Sequence, residues 1–184
     1  MPCYHPITAY RTSDGSIVFV DNLRRYDVVE RVDLPCGRCV GCRLERSRQW
    51  AVRCMHEASL YDANSFVTLT YDNDHLPEYN SLEYRHFQLF MKRLRKAFAP
   101  TVIRFYMCGE YGDDLSRPHY HACLFNCYFA DRRRLSAGGS GATLYSSDLL
   151  SSLWPYGFSS IGDVTFESAA YVSRYVIEKG GLVS

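Results

Sequence analysis

The sequence predicts an α+β protein with a central antiparallel sheet flanked by helices and a cysteine-rich element near the N-terminus. Three observations carry that prediction. From residue 65 onward the chain reads strand, helix, strand, strand, short helix, strand, helix. The runs 102–108 and 119–125 are separated only by a turn, which calls for an antiparallel hairpin. Before them stands Cys36-Gly37-Arg38-Cys39-Val40-Gly41-Cys42, a knuckle of thiols and glycines.

Residues 1–35 alternate short apolar runs with turn residues, and 16–20 and 28–32 read as two strands of a looped hairpin, the first following the Asp14-Gly15 turn. Helical composition follows from Arg43 to about Tyr61, with Leu44, Trp50, Ala51, Cys54 and Ala58 near one stripe. Residues 65–71 (SFVTLTY) are β-branched and aromatic, with Thr68 and Thr70 on one face of the strand they form. A helix is expected over 82–98, capped by Ser81 and ended by Pro100, with Phe87, Phe90, Met91, Leu94 and Phe98 at helical spacing. A loop over 126–145 contains Gly138-Gly139-Ser140-Gly141. A short helix over 146–153, a strand over 158–166 and a helix over 167–179 complete the order. Residues 1–60 group as hairpin, cysteine-rich knuckle and basic helix, and 61–184 as the sheet core, the whole expected to form one compact unit.

Composition narrows the class. Hydrophobic residues make up 47% of 184, enough for a core, which argues against global disorder. The net charge of +1 gives no average nucleic-acid signal, yet basic residues cluster at 38–53, 92–96 and 132–134. Arg43, Arg46, Arg48 and Arg53, then Lys92, Arg93, Arg95 and Lys96, are candidates for phosphate contacts. Phe105 and Tyr106 are candidates for stacking on single-stranded bases. There is neither an apolar run of membrane-spanning length nor a charged-then-apolar leader, so a soluble intracellular protein with reduced thiols is expected.

Three constellations can carry chemistry. His119 and His121 lie two apart on a strand, so their imidazoles share a face and suit one divalent ion. Glu110, at the loop end of the neighbouring strand, can supply an oxygen ligand and leave positions open for phosphate and water. On the last helix Tyr171, Tyr175 and Lys179 repeat every four residues and form one stripe, opposite Ala170, Val172 and Val176. A phenol needs a nearby cation or metal to become a nucleophile, and Lys179 can serve. The thiols Cys36, Cys39 and Cys42 can wrap a structural zinc with Cys3, His5 or Cys54 as the fourth ligand. Redox thiols and an iron–sulfur cluster compete with zinc, although the fourth cysteine followed by proline that marks such clusters is absent. Cys123 and Cys127 read as plain strand and loop thiols.

The succession FVTLTYD, RPHYHACLF and YVSRYVIEK resembles the three motifs of HUH endonucleases, U standing for a hydrophobic residue. PCGRCVGCRLERSRQWAVRCMHEA, FMKRLRKAF, CGEYG, LWPYGF and IGDVTFESAAYVSRYV resemble the replication initiation proteins of gokushoviruses, small single-stranded DNA viruses of bacteria in the Microviridae. The resemblance covers about Leu34 to Lys179. It implies an HUH-type sheet with flanking helices and a nickase core in 61–184. It also implies a rolling-circle initiator that cuts and rejoins one strand of the replicative form through a 5′-phosphotyrosine. It makes His119, His121 and Glu110 the ligands of Mg or Mn, Tyr171 and Tyr175 alternating nucleophiles, and Lys179 a helper, although related motifs can carry the lysine nearer the second tyrosine, where Glu178 stands here.

Origin single-stranded DNA, a host helicase and polymerase, and the cytoplasm of a bacterial host follow by the same analogy, with no membrane partner. No Walker-type G-x-x-x-x-G-K-[ST] occurs, so the chain is not expected to be its own helicase motor. Relatives are expected to run longer than this chain, as for a short variant or a catalytic-domain fragment. The alternatives are a non-catalytic single-stranded nucleic-acid-binding module and a metallohydrolase that uses water.

Overall fold

The structure, a computed structural model, describes residues 3–19, 23–112, 117–135 and 143–178. The chain divides into two compact units, 1–46 and 47–184, so the division falls after Arg46, where the sequence suggests 60/61.

The first unit holds three antiparallel strands, β1 (Ile7–Thr12), β2 (Ile17–Val18) and β3 (Val28–Leu34), in the order β2-β1-β3. The Asp14-Gly15 turn is present, and Asp14 accepts from both the amide and the hydroxyl of Ser16. It joins β1 to β2, and β2 pairs with β1 and not with β3. The two strands expected to pair both flank β1, which the sequence did not reveal, because ITAYRT buries only Ala9 and Thr12. Val20 of the expected first strand lies outside the described residues. Helix α1 (Val40–Ala58) begins in this unit and ends in the second.

The second unit is built on a six-stranded antiparallel sheet. In chain order its strands are β4 (Asn64–Tyr71), β5 (Arg104–Tyr111), β6 (Pro118–Phe125), β7 (Arg133–Arg134), β8 (Tyr145–Ser146) and β9 (Gly157–Gly162). In space the order is β5-β6-β4-β9-β8-β7, so the FVTLTY run of β4 lies directly beside the His119-Tyr120-His121 run. Strand alternation sends side chains to two cores. Val67, Leu69 and Tyr71 of β4, Met107 of β5, and Tyr120, Ala122 and Leu124 of β6 point to one face. There they meet Phe87, Phe90, Met91 and Leu94 of α2 (Tyr84–Ala97) and Leu150 and Leu153 of α3 (Asp148–Leu153). Tyr106 and Cys108 of β5 and Cys123 and Phe125 of β6 point to the other. That face is covered by Ala51, Cys54 and Ala58 of α1 and by Ala169, Val172 and Val176 of α4 (Phe166–Glu178). The expected α+β architecture is therefore the observed one.

Boundaries shift for local reasons. Ser81 does not cap α2; its hydroxyl donates to the Glu78 carbonyl, and Glu83 caps instead by accepting from the Arg85 amide. The last strand ends at Gly162, because Thr165 and Ser168 each accept the other's backbone N–H and so open α4 with a reciprocal cap. Gly157 starts β9 at φ 146° with its backbone packed on β4; a Cβ there would lie 2.3 Å from the Asp72 nitrogen. The Gly138–Gly141 stretch lies outside the described residues.

Candidate metal and nucleophile site

The pairing of β5 with β6 sets Glu110 directly opposite His119 and Cys108 opposite His121. Glu110, His119 and His121 therefore emerge on the face that α4 covers. Glu110 Oε2 lies 3.6 Å from His119 Nε2 and 3.4 Å from His121 Nε2. One donor atom from each residue falls within 4.8 Å of the others.

Each imidazole is oriented from behind. His119 Nδ1 donates to the Arg117 carbonyl at 2.9 Å, which leaves the Nε2 lone pair facing Glu110. The Arg117 guanidinium is itself tied to the Tyr71 carbonyl and to Asn73. His121 Nδ1 sits 3.0 Å from Thr68 Oγ1, a contact created by the Thr68↔His121 register of β4 and β6. The Phe66 ring stacks on the His121 ring at 5.6 Å between centroids. Burial, and next the neighbouring His119, hold the His121 pKa down to about 3, so the ring is neutral.

His121 Nε2 is buried without a hydrogen-bond partner. A buried ring nitrogen without a partner, beside a carboxylate and a second imidazole, is what a divalent-ion site leaves exposed when its protein ligands are considered alone. The donor set fits such an ion.

Helix α4 packs over β5 and β6 and carries the tyrosines. Val172 and Val176 face the core as expected, and Ser47 donates to the Ala170 carbonyl. The adjacent stripe points at the metal-ligand candidates. Tyr171 Oη donates to Glu110 Oε2 at 2.7 Å and to Oε1 at 3.0 Å. Its ring lies edge-on to His121 at 5.1 Å and 5.0 Å from the ring of Tyr175. Burial first, and then the bond to Glu110, raise the Tyr171 pKa, so the phenol holds its proton in this arrangement. Lys179 lies outside the described residues.

The basic candidates are dispersed. Arg93 of α2 donates to the Leu153 carbonyl and to Tyr156 Oη, and its guanidinium lies over the Tyr156 ring. Arg95 lies over Phe105. Lys92 and Arg95 line an open groove of about 420 Å³ with Tyr84, Arg85 and Phe105. These residues stand on the α2 side of the sheet, whereas Glu110, His119 and His121 stand on the α4 side. Tyr106 is buried with Trp50 stacked on it at 5.2 Å, so it is not an open platform for a base. Arg53 lies over the other partner of that stack, Trp50. Arg48 is engaged with a neighbour, and Arg43 and Arg46 belong to the first unit.

In the first unit Cys3 joins Cys36, Cys39 and Cys42, all four Sγ atoms lying within 4.8 Å of one another. Cys54 is instead buried beside Ala51 and Ala58, its pKa pushed up to about 12 by burial. Cys123 lies on β6 and Cys127 in the loop after it, as expected, and both are buried.

Two pieces of the site escape sequence reading. Thr68 was visible as a polar position on a strand, but its partner emerges only once β4 is known to lie beside β6. The Arg117 carbonyl carries no side-chain signal at all.

Fold and site together define an α+β protein whose antiparallel sheet sets a Glu/His/His group beside two tyrosines on a covering helix. A sequence model of the replication-associated protein ORF2/G2P family matches residues 64–180, and the chain belongs to that family. It is 34% identical over 97% of its length to replication-associated protein VP4 of Bdellovibrio phage phiMH2K. It is 38% identical over 92% to replication-associated protein ORF2 of Spiroplasma virus 4, and 38% identical over 79% to replication-associated protein ORF4 of Chlamydia phage 1. The chain spans 58%, 55% and 38% of those relatives' own lengths. No solved structure matches. No helix among the described residues is long and apolar enough to cross a membrane.

Proposed function

We propose that the chain initiates rolling-circle replication by nicking and rejoining single-stranded DNA at an origin, with Tyr171 and Tyr175 as nucleophiles. One observation carries the reading: the Tyr171 hydroxyl, on a helix, meets the carboxylate that also lies within 3.6 Å of both strand imidazoles. Membership of a replication-associated family supports the biological setting. By analogy, its setting would be the cytoplasm of a bacterial host, with a host helicase and polymerase as partners.

The residues divide the work as follows. Glu110, His119 Nε2 and His121 Nε2 would hold a divalent ion, Mg or Mn. When bound, the ion supplies Lewis-acid stabilisation of charge on the scissile phosphate. Thr68 and the Arg117 carbonyl keep both Nε2 lone pairs aimed inward. A tyrosine oxygen forms a bond to phosphorus while the bond from phosphorus to the 3′-oxygen breaks. The phenol gives up its proton, for which Glu110 is an acceptor already in place, and the departing 3′-oxygen takes one up. One phosphate ester replaces another, so religation needs no nucleotide. Tyr175 is near enough to take the second turn, and Lys179 is assigned as a helper to the phenolate.

The test incubates the full chain with labelled single-stranded oligonucleotides tiling the origin region and Mn. An SDS-resistant protein–DNA adduct is expected, abolished when Tyr171→Phe and Tyr175→Phe are combined. Cleavage without an adduct would establish a water-using hydrolase, and binding without cleavage a non-catalytic module; either result overturns the reading.

A further inference from the structure

The first unit contains a second donor cluster that the nicking chemistry does not use. Cys3 Sγ lies 3.8 Å from Cys39 Sγ, and Cys36 Sγ lies 4.0 Å from Cys42 Sγ. Disulfide sulfurs stand about 2.05 Å apart, so neither pair is bonded. Zn–S bonds of about 2.3 Å in a regular tetrahedron place the sulfurs about 3.8 Å from one another. The observed pairs match that edge. A multi-iron cluster would spread the four thiolates over several metal atoms and hold them wider apart. We infer that Cys3, Cys36, Cys39 and Cys42 bind a single zinc ion and that this ion organises the N-terminal unit.

The surroundings supply hydrogen-bond donors to the sulfurs. Backbone N–H groups donate to the sulfurs in series: Cys36 to Cys3 at 3.3 Å, Cys39 to Cys36 at 3.4 Å, and Cys42 to Cys39 at 3.4 Å. Tyr4 adds a second donor to Cys39 at 3.5 Å. Hydrogen bonds to an ionised acceptor are the strong kind. Cys42 sits in the opening turn of α1, which contains no acidic residue, so the positive end of that helix lies at the cluster. Gly37 takes φ 73° to turn the knuckle, and a Cβ there would lie 3.4 Å from Arg46 Nη2.

The unit also needs such a centre. Among its described residues Ala9 and Thr12 are the only buried side chains. Strand β3 is half-buried at best: Val28, Val32 and Leu34 are partly covered and the residues between them are exposed. A three-stranded sheet of this size without an apolar core is the case in which a structural metal supplies the folding energy. The cluster ties the residues just before β1 to those just after β3.

The experiment measures metal in the full chain purified without chelator. The chain carrying His119→Ala and His121→Ala, which removes the other donor set, is expected to keep one zinc per chain. The chain carrying Cys36→Ser and Cys39→Ser is expected to lose it. Because the cysteine variants can misfold, the unaltered cysteine site is also loaded with Co²⁺. Intense thiolate-to-cobalt absorption with tetrahedral ligand-field bands is expected, and a weak six-coordinate spectrum would overturn the inference. So would bound iron in place of zinc, or zinc that survives the cysteine substitutions. For the organising role, stripping the zinc should raise amide exchange in β1 and β3 while β4 and β6 stay protected. Unchanged exchange in β1 and β3 would refute that role.

Discussion

The two faces of the six-stranded sheet are made by the same strands and behave as opposites. On β6, Tyr120, Ala122 and Leu124 enter an aromatic and aliphatic core with α2 and α3, while His119 and His121, one residue out of phase, point under α4. The α2 face is dominated by rings packed edge to face around Trp154, which meets Tyr71, Phe90, Tyr120 and Tyr156. The α4 face interrupts its core with Glu110, two imidazoles and two phenols. Burying those groups costs desolvation energy that a shape-matched apolar core would avoid. One face is thus arranged for stability, and the other gives up stability to bring ionisable and polar groups together.

The largest expected effect lies on the stable face. Trp154 is fully buried and its Nε1 donates to the Thr70 carbonyl at 3.2 Å. Trp154→Ala should destabilise the protein by about 3–5 kcal/mol, through the cavity and the carbonyl it strands. Denaturant unfolding measures this. A loss below about 1 kcal/mol would mean that the α2 face is not the stabilising one.

Glu110→Gln sharpens the contrast from the other side. Adduct formation should fall on the order of 10²–10³-fold, the scale set by losing one electrostatic group in a reactive site. The metal-free chain should meanwhile unfold at the same denaturant concentration or a higher one, because a buried carboxylate has been neutralised. If stability fell as far as in Trp154→Ala, the two faces would not differ in the way described.

How much of this was legible from sequence follows the same line. The alternation in RPHYHACLF places His119 and His121 together because strand periodicity acts locally, and the short turn to the preceding strand brings Glu110 opposite. The helical spacing of Tyr171 and Tyr175 is equally local. Strand order is not local, so nothing in FVTLTYD announces that Thr68 will meet His121. Strand β1 was missed because a small edge sheet without a core leaves almost no apolar pattern. The basic runs show a third limit: Arg93 and Lys92 are neighbours in sequence, yet the Arg93 guanidinium meets the end of α3 and Tyr156 while Lys92 lines an open groove. Charge in a sequence does not say what the charge will touch. The cysteine knuckle was legible for three thiols, while Cys3 could be chosen over His5 and Cys54 only in three dimensions.

Thr68→Val tests the seam between strands. The hydroxyl orients His121 without being a ligand candidate, so its removal should weaken Mn binding and adduct formation about 10–100-fold. Thr68→Ser should restore most of both, because it keeps the oxygen. A Thr68→Val chain with unchanged Mn affinity would show that the imidazole is held by packing against Phe66 and Tyr171 alone.

The smallest effect is a pH dependence on the stable face. His86 stacks on Tyr156 at 4.1 Å, and its Nδ1 lies 3.0 Å from Tyr71 Oη. Burial raises the Tyr71 pKa to about 12, so the phenol keeps its proton and donates it, which leaves Nδ1 as an acceptor on a neutral ring. Burial also lowers the His86 pKa, with Arg93 acting in the same direction and Glu83 opposing. A histidine whose folded pKa lies below its unfolded value near 6.5 binds protons more readily when unfolded. Stability should therefore be level above about pH 6.5 and should decline as the pH falls from there toward the folded pKa. Unfolding curves of the chelator-treated chain and of its His86→Gln variant, compared at about pH 7.5 and pH 5.5, isolate this contribution. The parent should lose more stability than the variant across that interval; an equal or smaller loss would mean that His86 accepts a proton in place and that the ring stack around Tyr156 tolerates a charge.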